Sequence, residues 1–199
     1  MISVNYLLKK CGGSIDLIKL ITMVYIADRY HLRKYGRPVT ESNYYAMPKG
    51  PVNSLVYDLC KESDFLEDFQ KEYFASFIKI DKYRLKSKKN IDDSYLSGTN
   101  KEALKYAWAL VKDLEKKKIN LIDFTHIFPE WKKHEDKLKD KGLSSIEMDY
   151  KDFFDDAAES DIDKISLERD PFKVIKKEEL AYAKDRFIED QGLSLILDG

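Results

Sequence analysis

The 199-residue sequence is poor in cysteine, histidine and proline, with two, three and five of each, and its 35 Lys+Arg nearly cancel its 36 Asp+Glu. Each scarcity closes off a class of function. Cys11 and Cys60 do not form a Cys-x-x-Cys pair and are too few for a disulfide framework. The N-terminus shows no basic-then-apolar leader with a small-residue cleavage site, so reduced thiols in the cytosol are the expectation. A formal net charge of −1 argues against a simple electrostatic nucleic-acid binder. No apolar run reaches the ~18 residues a membrane span needs. The chain holds no phosphate-cradling Gly-x-x-x-x-Gly-Lys-Ser/Thr loop, no Gly-x-Gly-x-x-Gly and no Gly-x-Ser-x-Gly. His134-Glu135 begins a His-Glu-x-x-His zinc motif, but Leu138 stands where the second imidazole must be. His126 and His134 are separated by Pro129 and have few potential co-ligands, so neither a metal site nor a cofactor is expected.

What is present is a globular composition, 43% hydrophobic and 36% charged, with thirteen tyrosines. The length suits one domain, or one domain with an appendage. The fold class expected is predominantly α-helical (α+β): a helical body around a buried central helix, with a small antiparallel three-stranded sheet. Residues 3–10 read as a short helix stopped by Gly12-Gly13. Ser14 is placed to N-cap a long helix over 15–34. Its apolar residues cover more than half the circumference, as in a central helix. Arg33 and Lys34 suit its C-terminal dipole, Gly36 closes it and Pro38 prevents its resumption.

Tyr44–Met47 reads as a strand cut by Pro48, and Gly50-Pro51 as a turn opening a helix with Val52, Leu55, Val56 and Leu59 on its apolar stripe. Residues 76–90 read as a hairpin with a basic outer face, able to form the sheet with Tyr44–Met47. Asn100 is positioned to cap a helix over 100–118, and a short helix at 120–125 precedes a polar helix at 131–140. Residues 147–163 hold eight acids and one lysine around Phe153 and Phe154, the composition of a surface helix or a partly ordered acidic segment. Residues 176–190 form a last amphipathic helix with Leu180, Ala183 and Phe187 on one side, and Leu193–Leu197 an apolar tail.

The densest polar cluster is Asp28-Arg29-Tyr30-His31. At i, i+3 spacing Asp28 and His31 can face each other, as an acid–base pair, a partner-binding patch or a structural pair that pins the helix end to the next loop. Cys60 reads as a small buried filler rather than a nucleophile. Arg84, Lys86, Lys88 and Lys89 with Tyr83 suit either phosphate contact or a lysine-guarded sheet edge. Tyr44-Tyr45 beside Met47 has the composition of an interface, although one tyrosine must point inward.

Residues 20–40, an apolar helix ending Tyr-Ile-Ala-Asp-Arg-Tyr-His and then Lys-Tyr-Gly-Arg-Pro-Val-Thr, resemble the hallmark of the Panacea, or SocA-like, antitoxin domain. Gly50-Pro51-Val52 follows where that pattern places it, and Leu121–His126 with Trp131 is similar to a later segment. The resemblance covers about residues 3–155. It divides the chain into 1–158 and a C-terminal extension, 159–199, carrying the terminal amphipathic helix. It implies a helical domain with a small antiparallel sheet. It also implies an antitoxin of bacteria or their phages that binds and neutralises a toxin encoded nearby, of no fixed chemistry.

Tyr25, Asp28, His31, Tyr35, Gly36, Arg37, Pro38, Gly50, Pro51, Val52, His126 and Trp131 would then hold the scaffold, and no residue would be catalytic. Tyr44, Tyr45, Met47, Arg84, Lys86, Lys184 and Phe187 are the candidate partner contacts. Self-association is left open, while nucleic acid and membrane are not expected partners. The competing readings are a proteolysis adaptor, a DNA-binding regulator, or an enzyme built on Asp28 and His31.

Overall fold

In the computed structural model, which describes residues 1–140 and 142–197 (backbone alone over 193–197), helix α1 (Ile2–Lys10) ends where Gly12 and Gly13 take positive φ. The next three residues depart from the sequence expectation. Ser14 does not cap the long helix, because Ser14–Asp16 form strand β1 and α2 (Leu17–Tyr35) begins after them. The cause is tertiary. β-branched Ile15 pairs with Leu85 and is 2% exposed, and the carbonyl of Tyr83 accepts the Leu17 N–H at 2.8 Å. The central helix is otherwise as expected: 14 of its 19 residues are buried, and Gly36 at φ 76° closes it with its N–H on the Leu32 carbonyl.

Strand β2 (Tyr44–Met47) pairs antiparallel with β3 (Gly50–Asn53). Gly50-Pro51 therefore opens a strand rather than the expected helix. Pro51 is tolerated because β3 lies at a sheet edge, and Val52 is buried on the strand. Helix α3 (Ser54–Lys61) starts where the Asn53 side chain accepts the Val56 N–H at 3.1 Å, and Leu55, expected on its apolar stripe, is 39% exposed. Helix α4 (Asp68–Phe77), in a stretch without a sequence assignment, leads into β4 (Ile78–Asp81) and β5 (Arg84–Ser87), the expected hairpin.

That hairpin pairs with β1 rather than with Tyr44–Met47. The outer edge of β2 is taken by β6 (Ile146–Glu147), so the described residues form two three-stranded antiparallel sheets, β1-β5-β4 and β3-β2-β6.

Ser97, not Asn100, caps helix α5 (Gly98–Lys116); its hydroxyl accepts the Asn100 N–H at 3.1 Å. The short helix expected at 120–125 is α6 (Leu121–His126), with the Asn120 side chain as its N-cap. The helix expected at 131–140 is two short ones, α7 (Pro129–Lys132) and α8 (Glu135–Asp140). Beyond them come a 3-10 turn at Tyr150–Phe154, α9 (Glu159–Lys164), a 3-10 turn at Pro171–Val174 and α10 (Lys177–Leu197). The acidic segment is thus not one surface helix but a 3-10 turn followed by α9, with Phe153 and Phe154 buried in the turn. Helices α5 and α10 both pack on α2, and one hydrophobic cluster runs from Val4 to Phe187. The side chains of the Leu193–Leu197 tail lie outside the described residues. No helix among the described residues is long and apolar enough to cross a membrane.

Candidate functional site

A helix buried on nearly all sides must bury its polar residues too, and each must then find a partner within the protein. The last turns of α2 do this with Tyr25, Asp28, Arg29, His31 and Arg33, all buried. The Asp28 carboxylate accepts the Val39 N–H at 2.7 Å, the Thr40 N–H at 3.0 Å, the Tyr44 hydroxyl at 2.7 Å and the Thr40 hydroxyl. Burial pushes this carboxyl up to about 6, against the four donors.

His31 does not face Asp28, contrary to the expected pairing. Its Nδ1 lies 2.6 Å from the Arg37 carbonyl and its Nε2 3.0 Å from the Thr99 hydroxyl. Burial lowers its pKa to about 4. The two side chains share a helix but hold different stretches of backbone, one at 39–40 and the other at 37 and the start of α5.

Arg29 and Arg33, one turn apart, bind what the sequence does not announce. Arg29 forms a fully buried ion pair with Glu130, which also accepts the Tyr25 hydroxyl at 2.6 Å. The opposing Glu130 holds the guanidinium above its usual pKa although burial would lower it. The second nitrogen of Arg29 reaches the Asp155 carbonyl at 2.6 Å. Arg33 donates to the carbonyls of Phe153, Phe154 and Asp155 at 3.1, 2.6 and 3.0 Å and to the Asp156 carboxylate at 2.5 Å. Two arginines thereby fix the acidic segment to the central helix.

On the rim, Glu102 of α5 accepts from Tyr30, Lys34 and Tyr35, each at 2.7 Å. Against partial burial, these donors bring its carboxyl down to about 2. Arg37 reaches Asn100 at 3.4 Å.

A second cluster of motif residues forms around β3. The rings of His126 and Trp131 stack at 3.4 Å, and the Trp131 indole donates to the Met47 carbonyl at 2.9 Å. Gly50, at φ 114°, lies so close to α6 that a Cβ would sit 2.5 Å from the Thr125 hydroxyl.

The candidate partner contacts are not brought onto one face. Tyr44 is buried against Asp28, which removes it from the surface, and Phe187 is 6% exposed, packed on Tyr150 and Phe154. Tyr45 and Met47 are half-buried on β2. Arg84 and Lys86 are exposed on the hairpin beside Asp16 and Asp81, and Lys184 is exposed on α10.

Burial pushes the Cys60 thiol up to about 12 and also raises that of Cys11, so neither is activated. Among the described residues no three His, Cys, Asp or Glu side chains converge as metal ligands. Glu130, Arg33 and Glu102 belong to the polar frame although no local sequence signal marks them.

A family model described as Antitoxin SocA-like, Panacea domain matches residues 18–132, from the start of α2 through α7. No curated protein and no solved structure shows a significant match to the chain.

Proposed function

The chain belongs to the SocA-like Panacea antitoxin family, and from that premise we propose that it is a non-catalytic antitoxin, neutralising a toxin encoded nearby by binding it directly. Cytosolic action, in a bacterium or from a phage or prophage, is part of this reading. Its main support is that the polar side chains of the motif, Asp28, His31 and Trp131, are spent inside the fold. Asp28 holds the backbone at 39–40, His31 the Arg37 carbonyl, and Trp131 the Met47 carbonyl. Groups so engaged build a scaffold, and recognition then belongs to the outer surface. A DNA-binding role would draw on Arg84 and Lys86, but both have carboxylates beside them, at 3.7 and 3.4 Å, which weakens their field.

Co-expression tests the reading. The neighbouring reading frame should arrest growth alone and be harmless with this chain, and the two products should co-purify. Arrest that persists despite a well-folded, abundant partner chain would refute it.

A further inference from the structure

Helix α4 and the turn before it carry aromatics on the outside. Phe65 is 91% exposed, Phe69 69% and Tyr73 53%. Phe69 and Tyr73, four residues apart, share one face of the helix, and Phe65 lies in the turn that leads into it, while Phe74 on the helix and Leu66 in the turn, 3% and 8% exposed, anchor the stretch to the body. Single exposed apolar residues are ordinary, but a run of three exposed aromatics, from the turn onto the helix, is the kind of surface that binding covers. Around this run Glu62, Asp64, Glu67, Asp68 and Glu72 are all exposed, and none forms an ion pair among the described residues. Over residues 61–73 these five acids face only Lys61 and Lys71.

We infer that this face of α4 is where the toxin docks, and that the toxin's matching surface is an apolar groove with a cationic rim; the inference rests on the antitoxin reading above. The three rings supply the anchors that dominate protein interfaces, in a helix-in-groove mode. The acids exclude an acidic partner and steer a basic one, so association should weaken as salt rises.

The test uses the full chain with the neighbouring toxin. A Phe65→Ser/Phe69→Ser/Tyr73→Ser variant should keep its helical circular dichroism yet fail to protect cells, with affinity down at least 100-fold. A Glu62→Gln/Asp64→Asn/Glu72→Gln variant leaves the helix cap at Glu67 intact. It should slow association at least tenfold at low salt and flatten its salt dependence. Should the triple aromatic variant melt early, Phe65→Ser alone, outside the helix, should still cost at least tenfold in affinity.

If the wild type protects and the aromatic variants protect equally, the docking face is wrong while the antitoxin reading stands. If these variants instead dissolve a dimer seen by light scattering and still protect, the face belongs to a second copy and the inference is overturned. A wild type that binds no neighbouring product overturns both.

Discussion

The guanidinium of Arg29 packs on the adjacent rings of Phe128 and Phe172, 4.4 and 4.9 Å from their centroids, and its charge is met by Glu130. Taking two charges out of water costs several kcal/mol per ion, and their attraction offsets that cost only while both are present. Glu130→Gln should therefore destabilise the protein by about 3 kcal/mol, and so should Arg29→Met. The double variant should fall at least 1 kcal/mol short of the sum, read from urea unfolding as a double-mutant cycle; additive losses would show the charges to be uncoupled.

His126 gives a pH-dependent counterpart. Burial pushes it down to about 4 from an ordinary 6.5, and its Nε2 is buried without a partner. A depressed folded-state pKa adds stability that is complete above 6.5 and is lost as pH falls through 4. Asp28, raised to about 6 from 3.8, has the opposite sign: its contribution is complete below 3.8 and is lost as pH rises through 6. The difference between wild type and His126→Phe isolates the histidine. The variant should match wild type near pH 7.5 and exceed it by about 2 kcal/mol near pH 4, a figure discounted for partial exposure. Parallel stability curves across that range would remove the titration from the account.

At the scale of elements, the close of α2 is set by its contact with α10. Gly36 sits at φ 76°, and a Cβ there would lie 2.8 Å from the Ala183 carbonyl of α10. Gly36→Ala should cost about 2 kcal/mol, combining left-handed backbone strain with displacement of the last helix. Faster amide exchange over 177–190 should accompany the loss; a loss confined to residues near 36 would mean that α10 yields freely.

Such contacts also explain what the sequence reveals and what it hides. The helices of α2 and α5 are long enough for their apolar period to show, and Gly36 marks an end by local chemistry. Strands β1 and β6, three and two residues long, exist through the partners they find, so Ser14 reads locally as a cap and Gly50-Pro51 as a helix start. Of the polar frame, Asp28, His31, Gly36 and Pro38 are visible as a family pattern. The Arg29–Glu130 and Arg33–Asp156 contacts span 101 and 123 residues and leave no local trace. The nearest hint is two arginines at i, i+4 on a helix apolar over more than half its circumference, where a buried charge needs a counter-charge.

For the whole molecule, the informative question is what residues beyond 158 do. The sequence sets them apart as an extension whose terminal helix either meets a partner or packs back on the same domain. In the fold, Asp170, fully buried, accepts the N–H groups of Ala157 and Phe172 at 3.1 and 2.8 Å, while Phe172, Ala183 and Phe187 belong to the same cluster as the central helix. Burying one phenylalanine is worth roughly 2–3 kcal/mol, a large part of a marginal stability of about 5–15 kcal/mol. Ending the chain after Ile175 should therefore lower the urea midpoint markedly and, because less surface is exposed on unfolding, reduce the slope of the transition. An unchanged midpoint would make α10 an appendage whose purpose lies in contact with others. Because α4 packs on α3 and β4, whereas α10 packs on α2 and the 150–154 turn, the shortened chain should still protect against the toxin when held well below its lowered melting temperature. Loss of protection with the fold intact would move recognition to α10 and away from the exposed aromatics.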